Sequence, residues 1–267
     1  MAESDGLRRQ YLEAMGIQAW VLREQPTDRG HDGKQRGSVG RPPAASEVLD
    51  SAATQPAASP SASIPATSAE PSATAGSQAV AVLQWPELEA RVSGCTACGL
   101  HEARTNTVFG VGSRQARWVV IGEAPGADED RQGEPFVGRA GKLLNEMLRA
   151  CGLQREDVYI ANILKCRPPR NRDPRPEEVA QCEPYLRRQL ELIKPELILA
   201  VGRIAAQNLL ETTTPIGKLR GRVHQFGVPS IPLVVTYHPA YLLRSPLEKR
   251  RAWRDLCFAM EVSAGRR

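Results

Sequence analysis

The chain has 267 residues, 41% of them hydrophobic and 24% charged, with a net charge of +5. That length allows one sizeable domain or two small ones. With no signal peptide and no apolar run of spanning length, an exported or membrane-embedded protein is not expected, and the cytoplasm is the expected setting. The charge is uneven: residues 1–82 carry 7 basic and 9 acidic side chains, which leaves +7 on the remainder. A basic body suits a polyanionic partner such as nucleic acid, although many soluble domains are as mildly basic.

In chain order, the first expected element is a short helix within residues 1–25, where Tyr11, Leu12, Met15, Ile17, Trp20, Val21 and Leu22 recur at helical spacing. A helix of that length is marginal alone in water, so it either packs on the body or serves as a docking peptide for a protein partner. Residues 26–82 read as a disordered linker. From Ser51 to Val80, 24 of 30 residues are Ala, Ser, Pro or Thr, with a single charge. Such a segment cannot bury enough apolar area to offset its ordering entropy.

The folded domain is expected over residues 83–262. Cys95 and Cys98 sit in a Gly-rich turn as C-x-x-C. Strands are expected at 117–122, 157–164, 197–202 and 232–238, from short β-branched runs ending at turn residues. A further strand is expected within 222–228. Helices are expected at 140–150, 176–193, 204–210 and 247–262, the second opened by Pro176, Glu177 and Glu178 as a helix start prefers. This alternation predicts a three-layer α/β/α sandwich around a central four-stranded, mainly parallel sheet, behind a disordered N-terminal extension.

Cys166 and Cys182 follow the first cysteine pair after a gap of 67 residues, with fifteen residues between them. They bracket a loop rich in Pro and Arg. Four thiolates placed like this can converge on one metal centre if the fold joins distant segments. Tetrahedral zinc and a four-iron cluster both accept four cysteines. The wide second spacing departs from a zinc ribbon and favours iron–sulfur. Cys151 and Cys257 lie in apolar helical contexts and read as core residues.

Ligands bind open parallel sheets at the carboxyl ends of the strands. Three such ends carry polar groups here: Glu123 in Gly122-Glu-Ala-Pro-Gly126, Asn162 with Lys165, and His238 before Pro239. With Gly133-Glu-Pro-Phe-Val-Gly138, Asn162-Ile-Leu-Lys-Cys-Arg-Pro-Pro169 and His238-Pro-Ala-Tyr-Leu-Leu-Arg244, the chain resembles the family 4 uracil-DNA glycosylases over residues 85–262. The four-cysteine spacing matches that family as well.

The resemblance implies a monofunctional hydrolase that releases uracil from DNA in base excision repair and leaves an abasic site. It also implies a [4Fe–4S] cluster on Cys95, Cys98, Cys166 and Cys182, a bacterial setting, and a monomer acting on uracil-containing DNA. His238 is expected to donate a hydrogen bond to the departing uracil O2, and Glu123 to position water or stabilise the cationic sugar. Asn162 pairs with uracil O4 and N3–H, Phe136 stacks on the flipped base, and Glu129 crowds the C5 position. Gly122 and Gly126 let the backbone approach the base. Arg167, Arg170 and Arg172 are expected on the phosphate backbone. Tyr241, Leu242, Leu243 and Arg244 are expected to form a wedge into the duplex. Two other readings stand beside this one: a non-catalytic cluster-containing DNA-binding module, and a relative that traps uracil-DNA covalently through a histidine in an inserted basic loop. No such insertion or histidine follows Lys165.

Overall fold

The structure is a computed structural model that describes residues 79–266, together with Gln10 and Glu13. Those two positions apart, the helix expected within 1–25 and the linker up to residue 78 lie outside the described residues. Val80, inside the stretch assigned to the linker from composition, is 5% exposed and belongs to an apolar cluster with Leu88 and Val92.

The first helix, α1 (Trp85–Ser93), begins with a proline in its first turn, and Glu87 accepts a hydrogen bond from the backbone N–H of Gln84 at 2.7 Å. A two-residue strand, β1 (Val111–Gly112), precedes β2 (Trp118–Gly122), α2 (Ala127–Gln132) and α3 (Arg139–Ala150). Then come β3 (Tyr159–Asn162), the long α4 (Pro176–Ile193), β4 (Leu197–Val201), α5 (Arg203–Leu209) and α6 (Ile216–Leu219). The chain closes with the hairpin of β5 (His224–Phe226) and β6 (Ile231–Thr236), then α7 (Pro239–Arg244) and α8 (Lys249–Ser263).

Among the described residues the sheet has six strands in the order β1-β3-β2-β4-β6-β5. The four inner strands are parallel and are the four expected ones, while β1 and β5 add antiparallel edges. The expectation of four strands is corrected to six. β5 lies within the 222–228 segment, whereas β1 is too short to leave a periodic pattern. Every residue of β2, β3 and β4 is buried, as strands covered on both faces require.

Successive strand residues point to opposite faces, and this alternation divides the core in two. Val120, Ile160, Leu199 and Val234 meet Leu144 and Leu148 of α3 and Leu256 of α8. Val119, Ile121, Ile198 and Val235 meet Leu186 and Leu190 of α4 and Ala205 of α5. Leu144 is fully buried, and truncating such a side chain to Ala costs roughly 2–5 kcal/mol. A third apolar cluster joins α1 to α4 around Cys166 and Cys182. Cys151 and Cys257 are half-buried, and no cysteine among the described residues is in a disulfide. Among the described residues no helix is long and apolar enough to cross a membrane.

The parallel register fixes where the polar strand ends lie. Gly122 is paired with Asn162, and Val201 with Thr236, two residues before His238. The three strand ends that carry Glu123, Asn162 and His238 therefore share one rim.

Candidate active site and cysteine centre

A cleft of about 430 Å³ opens on that rim, lined among others by Glu123, Gly126, Glu129, Phe136, Asn162 and His238. A second cleft of similar volume lies between α4 and the β5–β6 turn, at the amino ends of β4 and β6. The rule for open parallel sheets selects the first, and it is there that the polar groups converge.

Asn162 ends β3 at 2% exposure, and its Oδ1 has no hydrogen-bond partner among the described residues. An unpaired buried amide oxygen costs roughly 1–3 kcal/mol, so it is placed for a group that enters the cleft. Close packing holds it there. A Cβ on Gly122 would lie 2.5 Å from Asn162 Oδ1 and 2.7 Å from Phe136 Cζ. Phe136 has φ of +54°, a left-handed conformation that costs energy in a non-glycine residue. Two features hold it. Its carbonyl crosses Gly141, where a Cβ would lie 1.7 Å away. Arg155 also donates to Pro135 O at 2.5 Å and to Glu134 at 2.9 Å. The Phe136 ring lies 5.6 Å from the His238 ring, inclined by 30°.

His238 caps α7: its Nδ1 accepts from the Ala240 N–H at 3.1 Å. Burial, reinforced by the charge of Arg244 and opposed by Glu129, pushes its pKa down to about 4. The ring is therefore neutral at pH 7. With Nδ1 an acceptor, its single proton is assigned to Nε2, which becomes a donor.

Glu123 is pushed the other way. Burial, then the charge of Asp173, raise its pKa to about 7, against the pull of Arg203. Asp173 lines the same cleft and pairs with Arg203 at 2.7 Å. Neither was singled out in the sequence, though Arg203 stands at the end of β4, the one parallel strand whose rim position had no assigned residue. Glu129 faces the cleft from α2, and its Oε1 accepts from the N–H groups of Val137 and Gly138 at 3.1 and 3.2 Å. Gly126 is the N-cap of α2.

Among the expected DNA contacts, Arg172 and Leu242 are engaged inside the protein. Arg172 is committed within the protein: its guanidinium holds the buried Glu178 carboxylate at 2.8 and 2.5 Å, and Glu178 also accepts from the Arg175 N–H at 2.9 Å. It braces the arginine loop at the start of α4. Arg167 donates to Asn171 at 2.7 Å, while Arg170 is exposed with φ of +56°. One residue of the expected wedge, Leu242, is inside the fold. Leu242 is 1% exposed, and Leu243 packs against the same core, because both lie on the inner side of α7. Tyr241 and Arg244 line the cleft. Leu247, three residues beyond α7, is 86% exposed.

Cys95, Cys98, Cys166 and Cys182 line one small pocket between the end of α1 and the start of α4. Among the described residues no group of three or more His, Cys, Asp or Glu is arranged to hold a metal ion. The donor chemistry nevertheless fits a metal–thiolate centre. The sulfurs accept hydrogen bonds: Cys95 from Tyr185 Oη at 3.3 Å, Cys166 from Arg104 at 3.2 Å, Cys182 from the Lys165 N–H at 3.2 Å, and Cys98 from the backbone of Leu100. Burial raises the pKa of Cys98 and Cys166, and that of Cys182 to about 12. Thiols this reluctant to ionise in solvent lose their protons when a metal binds.

The uracil DNA glycosylase superfamily model matches residues 109–258. A type-4 uracil-DNA glycosylase of Archaeoglobus fulgidus is 54% identical, over 58% of this chain and 81% of its own. One from Thermotoga maritima is 50% identical over the same shares. A type-5 uracil-DNA glycosylase of Pyrobaculum aerophilum is 34% identical over 49% of this chain and 64% of its own. Motifs, fold and relatives agree: the chain belongs to the uracil-DNA glycosylase superfamily, among the type-4 uracil-DNA glycosylases.

Proposed function

We propose that this chain hydrolyses the N-glycosidic bond of deoxyuridine in DNA, releasing uracil and leaving an abasic site for base excision repair. One observation carries the reading: the unpaired, buried Oδ1 of Asn162 in a cleft shared with neutral His238. An amide there offers an acceptor to uracil N3–H and a donor to O4. Cytosine presents an amino group and an unprotonated nitrogen at the same positions, so it meets like against like.

As the C1′–N1 bond breaks, its electron pair passes to the base and spreads onto O2, while the sugar becomes oxocarbenium-like. The Nε2–H of His238 donates to O2; a neutral imidazole does this without a full positive charge in the cleft. Phe136, held in place by Gly141 and Arg155, supplies an apolar face for the flipped base. The Glu123 carboxylate sits opposite the developing cation and accepts the proton of the water that adds to C1′. Burial, then Asp173 and Arg203, set the ionisation of Glu123. Glu129, fixed by two backbone N–H groups, bounds the cleft where a C5 methyl would project.

Cys95, Cys98, Cys166 and Cys182 would hold a [4Fe–4S] cluster, whose contribution is a structural cross-link rather than redox chemistry. It ties the end of α1 to the arginine loop, where Arg170 and Arg175 are exposed for phosphate contact. With Leu242 in the core and Leu243 half-buried against it, the wedge role passes to Tyr241 and Leu247. The enzyme is read as a cytoplasmic, monomeric repair protein, with residues 1–25 as a docking segment for a protein partner.

The test is incubation with a uracil-containing oligonucleotide followed by alkali. Nicking at uracil is expected. A denaturant-resistant protein–DNA adduct would instead support the covalent trap, and specific binding with neither would support the non-catalytic module.

A further inference from the structure

Lys165 is a lysine at 1% exposure, among the largest fully buried side chains of the protein. Its Nζ donates to the main-chain carbonyl of Asn162 at 3.1 Å and to Gln189 Oε1 at 2.7 Å. The orientation of Gln189 is set independently, because its Nε2 donates to Phe109 O at 2.9 Å and to Tyr159 Oη at 3.0 Å. Both partners of Lys165 are therefore acceptors, as an ammonium requires, since it has three donors and no lone pair. None of the ion pairs found among the described residues includes Lys165.

A buried ammonium without an opposite charge is costly, so a counter-charge is expected close to Lys165. The missing charge lies on its other side. Lys165 lines the cysteine pocket, and its own N–H donates to Cys182 Sγ at 3.2 Å. Four thiolates around a [4Fe–4S]²⁺ cluster or a zinc ion carry a net charge of about −2. Arg104 donates to Cys166 Sγ at 3.2 Å and Lys165 lines the same pocket, so both cations would lie beside that dianion.

We infer that Lys165 is a positioning residue joining the two sites: its ammonium is a counter-charge of the metal–thiolate centre and, by the same contact set, fixes the main chain of Asn162. The inference rests on the proposed uracil reading and on a metal–thiolate centre. Its consequence is that the centre supports base recognition as well as DNA grip. When the metal leaves, the ammonium loses its counter-charge, and the Asn162 carbonyl loses its anchor.

The test uses the full-length, metal-loaded protein with Lys165→Met, which keeps the volume and removes the charge. Groups that orient metal ligands change metal affinity or activity by about 10–100-fold when replaced. Two effects of about tenfold or more are expected together: faster metal release to a chelator, read from visible absorption and metal content, and slower single-turnover uracil excision. Affinity for undamaged duplex should stay within about twofold. Lys165→Gln, neutral but still able to donate to Asn162 O, separates the halves. It should release metal as fast as Lys165→Met while keeping most of the excision rate, and it serves as the test if Lys165→Met does not fold. Metal retention equal to the parent's in both variants would overturn the counter-charge role, and parental excision in Lys165→Met would overturn the anchoring role. A parent that excises no uracil refutes the functional reading instead, and the metal-release measurement stands apart from that outcome.

Discussion

Gly122→Ala tests the packing around the base-reading amide directly. The added Cβ would lie 2.5 Å from Asn162 Oδ1 and 2.7 Å from Phe136 Cζ. Reaching an ordinary contact at 3.4 Å moves the amide oxygen back by about 0.9 Å and the ring by about 0.7 Å. Neither has slack. Asn162 is in register with Gly122, and the next residue, Ile163, donates to Gly122 O at 3.0 Å. Phe136 is held at its left-handed φ by Gly141 and the Arg155 clamp. A misplacement of about 1 Å costs about 10²-fold in rate, which is about 2.7 kcal/mol of transition-state stabilisation. Overpacking adds about 1–3 kcal/mol of lost stability, a shift of a few degrees in Tm for a domain of this size. The assay is single-turnover release of uracil from an end-labelled oligonucleotide, read by alkaline nicking. Metal content and affinity for undamaged DNA serve as controls that should not change. An excision rate within threefold of the parent would refute the reasoning, because it would mean that the amide and ring are not held where the structure has them.

Three further outcomes are expected. Glu123, with its pKa raised to about 7, is mostly protonated below that pH, so kcat/KM should climb as pH rises through about 7. In Glu123→Gln that limb should vanish from a lower rate, leaving only a fall near pH 4 as His238 gains a proton. The stability sign follows from the same shift. The unfolded carboxylate ionises from about 4.5 and the folded one only near 7, so the parent loses stability across that window. Glu123→Gln should therefore melt higher than the parent at pH 9 and alongside it at pH 4; equal melting at pH 9 would count against the buried carboxylate. Leu247→Ala should reduce excision from double-stranded DNA about tenfold and leave single-stranded excision within twofold, since a wedge acts only on a stack; equal losses on both would remove Leu247 from that role. Glu178→Ala deletes the acceptor of Arg172 and of the Arg175 N–H. It should cost about 1.5–3 kcal/mol in urea unfolding and steepen DNA dissociation with salt, and a change below 0.5 kcal/mol would show that the loop does not depend on it.

The four parallel strands were legible because short apolar runs rich in β-branched residues and bounded by glycine or polar turn residues state their burial locally. The rim motifs were legible because polar residues interrupt those runs where strands end. Leu242 was misread because four consecutive residues of Tyr-Leu-Leu-Arg look alike in one dimension, and only the docking of α7 decides which side meets the core. Arg172 looked available because its partner Glu178, six residues away, joins it only once α4 forms. β1 has two residues and no period, so its pairing with β3 is visible only in the assembled sheet.

By itself, the order of residues settled the inner strands, the motif positions and the spacing of four cysteines, all of which depend on neighbours a few bonds apart. Tertiary structure alone decided which charges face each other: Asp173 with Arg203, Arg104 with the Cys166 sulfur, and Asp173 beside Glu123. Electrostatic energy depends on distance through space and on burial, and neither is written in the separation along the chain. That is why the ionisation of Glu123 and His238, and the orphaned oxygen of Asn162, emerged only when the strands were brought to a common rim.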